Sequence, residues 1–132
     1  YSAVLDVGGD DLGARVLSTF NEQIVNDSCI HYFVINTRRP MTQTVDEIVN
    51  TVRDIESSSR LKVDMLINNA NLLSENKPEI LAEASQIIRR VSSKLSIPLG
   101  FVSGMGDVLK EYKDDSDIER LYLEKFIKLP WE

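Results

Sequence analysis

The sequence predicts an α/β protein: an open, mainly parallel sheet with helices on both faces, made by a single unit spanning residues 1–132. Three observations carry this expectation. Four short apolar runs lack the strict alternation of half-exposed strands, which is the pattern of strands buried on both faces. The segments between them repeat apolar residues at helical spacing. The two kinds of segment alternate along the chain, the order that right-handed crossovers convert into a parallel sheet.

The first run, Ala3–Val7, leads into Asp6-Val-Gly-Gly-Asp-Asp11. Leu12, Val16, Leu17, Phe20 and Ile24 then share one helical face. The second run, Ile30–Asn36, stops at Asn36-Thr-Arg-Arg-Pro40. After it, Thr44-Val-Asp-Glu47 has capping-box spacing: the Thr44 hydroxyl serves the Glu47 amide and the Glu47 carboxylate returns to the Thr44 amide. Val45, Ile48, Val49, Val52 and Ile55 form the stripe of that helix. The third run, Val63–Asn68, ends in Asn68-Asn-Ala-Asn71. Pro78 suits the first turn of the next helix, whose apolar stripe is Ile80, Leu81, Ala84, Ile87, Ile88, Val91 and Leu95. The fourth run, Ile97–Val102, precedes Ser103-Gly-Met-Gly106. Lys113-Asp-Asp-Ser-Asp117 is expected as a solvated loop, and a last helix over about Ser116–Lys128 closes the chain.

Bulk properties narrow the function classes. A chain of 132 residues is the size of one ordinary domain, able to bury roughly two-thirds of its unfolded surface. The 15 basic and 21 acidic residues give a net charge of -6, which argues against sequence-independent nucleic-acid binding. No apolar run is long enough to span a bilayer, and no signal-peptide pattern opens the chain. Cys29 is the only cysteine and has no internal disulfide partner, so a reducing cytoplasm is the expected setting. Cys29 and His31, the single histidine, flank a strand without a second ligand cluster, so they carry no metal or nucleophile assignment. The chain starts Tyr1-Ser-Ala-Val-Leu-Asp6 inside an apolar strand and without methionine. It is read as a piece of a longer protein, although a processed or engineered start would look the same.

In such a fold, ligands gather beyond the carboxyl ends of the strands. There the sequence turns from hydrocarbon to small and polar residues. Asp6-Val-Gly-Gly9 has the order that a metal and phosphate edge requires. A strand-tip carboxylate can hold a hydrated Mg²⁺, and glycine lets a main-chain amide approach a terminal phosphate. Asp10 can orient water or reach the metal from outside its ligand shell.

Val4-Leu-Asp-Val-Gly-Gly-Asp-Asp-Leu-Gly13 resembles the switch region of the MinD/ParA and nitrogenase-iron-protein group of P-loop ATPases, whose D-V-x-G-D run matches Asp6, Val7, Gly9 and Asp10. Phe33-Val-Ile-Asn-Thr-Arg-Arg-Pro40, Met65-Leu-Ile-Asn-Asn-Ala70 and Ile97-Pro-Leu-Gly-Phe-Val102 follow in the order of that group, so the resemblance covers roughly residues 3–104. It implies a P-loop NTPase-like fold, ATP and Mg²⁺ as ligands, and ATP hydrolysis by the whole protein. Asp6 becomes the Walker B-type aspartate and metal ligand, Asp10 its catalytic partner, and Gly9 the amide sensing the γ-phosphate. Asn69, or Asn68 if the strand ends one residue earlier, contacts adenine, with Ser103 and Gly104 lining the far side of the base. Each asparagine also suits a turn-capping role. Arg38 and Arg39 stand at a strand tip as arginines that solvent alone would account for, and there guanidinium can also meet phosphate or a facing subunit.

The resemblance makes residues 1–132 the C-terminal part of a larger nucleotide-binding domain, but the sequence departs from the group: G-x-x-x-x-G-K-[ST] is absent, as is its variant with an extra lysine. The phosphate cradle is therefore expected upstream of Tyr1, and these residues alone are not expected to hydrolyse ATP. The cluster cysteine of the iron proteins would fall near Gly13, so no iron–sulfur cluster is implied. Expected partners are a second copy, the missing N-terminal segment or another protein. Two other classes stand beside this reading. One is a non-catalytic nucleotide-sensing or protein-interaction module. The other is a receiver-like phospho-acceptor, which needs an aspartate and a lysine where this chain has Asn68 and Ser103.

Overall fold

The computed structural model describes residues 1–114, 117–128 and 130–131. Strands β1 (Tyr32–Ile35), β2 (Met65–Asn68), β3 (Leu99–Met105) and β4 (Glu119–Leu123) form one all-parallel sheet in that order. Helices α1 (Asp11–Thr19) and α2 (Asn21–Asn26) precede β1, α3 (Val45–Ser59) joins β1 to β2, α4 (Pro78–Leu95) joins β2 to β3, and α5 (Gly106–Glu111) follows β3. The chain is thus α/β, as its periodicities predict.

The two long helices form where the sequence signals them. Thr44 Oγ1 accepts from Glu47 N at 3.3 Å, and Glu47 Oε2 accepts from Thr44 N at 3.0 Å. This is the expected capping box, and it opens α3. Pro78 occupies the first turn of α4. Ile48, Val49, Val52 and Ile55 of α3, and Ile80, Leu81, Ala84, Ile88 and Val91 of α4, are buried. They pack on Phe33, Ile35, Leu66 and Val102 of the sheet.

The other face of the sheet corrects the expectation of helices on both sides. Each crossover advances one strand in the same direction, and right-handed connections of that kind deliver every helix to the same face. On the bare face Tyr32, Val34 and Leu121 are 45%, 57% and 49% exposed. The Tyr32 ring meets Phe101 edge-on at 5.9 Å.

Three further elements differ. Ala3–Val7 forms no strand, and Val4 and Leu5 are exposed. Apolar composition makes a segment competent for a strand, but the strand exists only where a neighbour takes its amides and carbonyls. The helix expected over 116–128 is replaced by β4, which pairs with β3 from Phe101↔Glu119 to Met105↔Leu123; Ser116 lies outside the described residues. The first helix is broken into α1 and α2 at Phe20. Its expected apolar face is largely exposed at Leu12, Val16 and Phe20, whereas Ala14 is buried in the core that includes α3.

A polar seam crosses the helical face. Ser85 Oγ receives Asn68 Nδ2 at 2.9 Å and lies 2.7 Å from Tyr112 Oη, while the Tyr112 hydroxyl donates to Asp114. Asp114, expected in a solvated loop, has a side chain only 10% exposed and pairs with Arg89. Asp115 and Ser116 of that loop lie outside the described residues. Burial pushes the Tyr112 phenol above its ordinary range, Asp114 adds to the rise, and Ser85 opposes it. The folded state therefore holds the proton more tightly than the unfolded one. Its contribution is complete at neutral pH and is lost as the pH climbs from the free-tyrosine value, about 10, towards the folded one. Tyr112→Phe should be less stable than wild type by about 1 kcal/mol at pH 7. Chemical denaturation at rising pH should show the gap narrowing above about pH 10; a constant gap would mean that the hydroxyl does not titrate with folding.

Candidate functional site

Beyond the carboxyl ends of β1 and β2 lies a cleft of about 750 Å³. Of the residues that sequence reasoning nominated, Gly9, Asp10, Arg38 and Asn69 line it together, with Arg39 beside them. Residues far apart in the chain are gathered there because parallel strands present all their carboxyl ends at one edge of the sheet.

Asp10 enters as the N-cap of α1, its Oδ1 accepting from Gly13 N at 2.8 Å. Gly13 is glycine for a packing reason: a Cβ there would sit 2.6 Å from the Gly8 carbonyl oxygen. Gly9 is different. Its φ is not positive, and a Cβ built on it would meet nothing within 4 Å. Neither turn conformation nor packing accounts for glycine at that position, which faces the cleft.

The adjacent asparagines have separate fates. Asn68 is fully buried. Its Nδ2 donates to Leu81 O at 3.0 Å and to Ser85 Oγ at 2.9 Å, and its Oδ1 accepts from Ala70 N at 3.1 Å. Asn69 is half-buried and faces the cleft, and its Oδ1 accepts from Ser103 Oγ at 3.1 Å. Ser103 therefore steadies Asn69 from behind. Gly104 is turned to the helical face, where a Cβ would touch Leu81 at 3.4 Å.

Arg38 forms an ion pair with Glu83 of α4. Asp6 is exposed and is not among the residues lining the cleft. Among the described residues no group of three or more His, Cys, Asp or Glu side chains is arranged to hold a metal ion. A Mg²⁺ would fit this cleft only as the partner of a phosphate ligand, keeping most of its waters and taking one or two carboxylates. Cys29 is exposed, and His31 uses its main-chain amide on Asp64 and faces Lys62 O through Nδ1.

The sequence reading missed the role of Asn36. Its side chain bonds both to its own loop and to Asn71 across the cleft. An asparagine closing a strand is the available signal, but a partner 35 residues away is invisible to local pattern.

No family model matches the chain, and no curated protein or solved structure matches it. Among the described residues no helix is long and apolar enough to cross a membrane.

Proposed function

We propose that the chain forms one wall of a Mg-ATP-binding site of MinD/ParA-like type, and that the whole polypeptide hydrolyses ATP once a phosphate-cradling segment completes that site. One observation carries the reading: Gly9, Asp10, Arg38 and Asn69, chosen from sequence for nucleotide roles, line a single cleft at the carboxyl edge of a parallel sheet. The unexplained glycine at position 9 supports it, because open space beside a bare backbone lets a phosphate oxygen approach the amide. Asn69 supplies an amide for a base edge, and the arginines supply guanidinium for phosphate.

The second reading, a nucleotide-sensing module without turnover, is favoured by the exposed Asp6 outside the cleft lining. Calorimetric titration of the full-length polypeptide with MgATP, run beside a turnover assay, tests both. Asn69→Ala is expected to weaken binding about tenfold with little loss of thermal stability. Asp6→Asn is expected to weaken MgATP binding, turnover or both without unfolding the protein. Binding with no turnover selects the sensing module. No MgATP binding by wild type removes the proposal.

A further inference from the structure

The loops after β1 and β2 form the two walls of the cleft, and one side chain joins them. Asn36 Oδ1 accepts from Arg38 N at 3.0 Å within its own loop and from Asn71 N at 3.1 Å in the other. Asn36 Nδ2 donates back to Asn71 O at 3.1 Å. The Asn71 main chain is thus held in both directions by a single amide, the reciprocal pairing that a strand would give it. Two non-glycine residues lie in the left-handed region, one on each loop: Met41 with φ 68 and Leu73 with φ 57. Such residues persist only when their surroundings over-determine them. Thr51 Oγ1 holds the Met41 carbonyl at 3.0 Å, and Asn71 Oδ1 accepts from Leu73 N at 2.5 Å. Each loop is pinned locally, and Asn36 pins one to the other.

We infer that Asn36 is a positioning residue that fixes the arginine-bearing loop against the Asn69–Leu73 loop, so that the phosphate-side and base-side contacts of one ligand are set together. The inference rests on the proposed nucleotide function for the identity of the ligand, but not for the mechanical coupling of the loops. An isolated turn would need only the bond to Arg38 N, which a serine hydroxyl also makes, more weakly. The two bonds to Asn71 need the length and the donor of an asparagine.

The test uses the full-length polypeptide with Asn36→Ala and Asn36→Ser, reading amide hydrogen exchange and MgATP affinity. In both variants exchange at the Asn71 amide should accelerate about tenfold, while only Asn36→Ala should also accelerate exchange at the Arg38 amide. Amides of β2 and β3 should stay protected, which shows that the variants remain folded. MgATP affinity should fall about tenfold in both. Unchanged exchange at Asn71 overturns the coupling. Accelerated exchange with unchanged affinity overturns the positioning role. If wild type does not bind MgATP, the nucleotide reading fails, and the exchange data alone decide whether Asn36 couples the loops.

Discussion

Asn68→Ala is expected to destabilise the domain by roughly 3 kcal/mol, a large effect for a single polar substitution. The side chain makes three hydrogen bonds in a fully buried site: to Leu81 O, to Ser85 Oγ and from Ala70 N. Each is worth about 1 kcal/mol net, and each partner left unpaired in the core adds a desolvation cost. Alanine also leaves a space that neither Leu81 nor Ser85 can fill without moving α4. Thermal melting should show a drop of roughly 10 °C. Asn69→Ala removes one half-buried contact to Ser103 and should cost no more than about 1 kcal/mol. The pair of variants therefore separates two roles that the sequence leaves entangled. If Asn68→Ala melts like wild type yet loses ligand binding, the buried network is not what holds Asn68, and its side chain must turn to the cleft.

How far such distinctions can be read from sequence depends on how local their causes are. The Thr44–Glu47 box and Pro78 act within one turn of helix, so both long helices start where the residues say. The stripes of α3 and α4 are equally legible, since burial of one helical face needs only some sheet to pack on. Neighbouring asparagines are a harder case, because position along a strand decides the face and the end of β2 decides the position. Asn68 completes the inward alternation of Leu66, while Asn69 begins the loop. The segment at 119–123 defeats local reading for another reason. Ile118 and Leu121 stand at helical spacing and Leu121 and Leu123 at strand spacing, and what selects a strand is the open edge of β3 beside it. Ala3–Val7 fails in the opposite sense: it has a strand's composition but pairs with no edge of the sheet, not even the open one of β1. Helices on one face follow from the strand order, a property of the whole chain that no window of residues contains.

Val34→Asp should have opposite consequences in two contexts. In the chain of residues 1–132 Val34 is 57% exposed, on the bare face of β1 and at the end of the sheet order. An aspartate there replaces one exposed side chain by another, so its cost should stay within about 0.5 kcal/mol. It should also suppress self-association, because a wholly apolar edge strand, Tyr-Phe-Val-Ile, invites pairing with another chain, and a charge discourages it. By contrast β4, at the opposite edge, already carries Glu119 and Arg120. All-parallel sheets are almost always covered on both faces, so the segment that completes the proposed site is expected to bring a layer onto this one. In the full-length polypeptide Val34 would then be enclosed by that layer, and a buried unpaired carboxylate there should cost several kcal/mol. Sedimentation of the 1–132 chain and denaturation of both forms measure the contrast. Small, equal effects in the two contexts would mean that this face of β1 stays in solvent in the whole protein, and the covering layer expected there would fall with it.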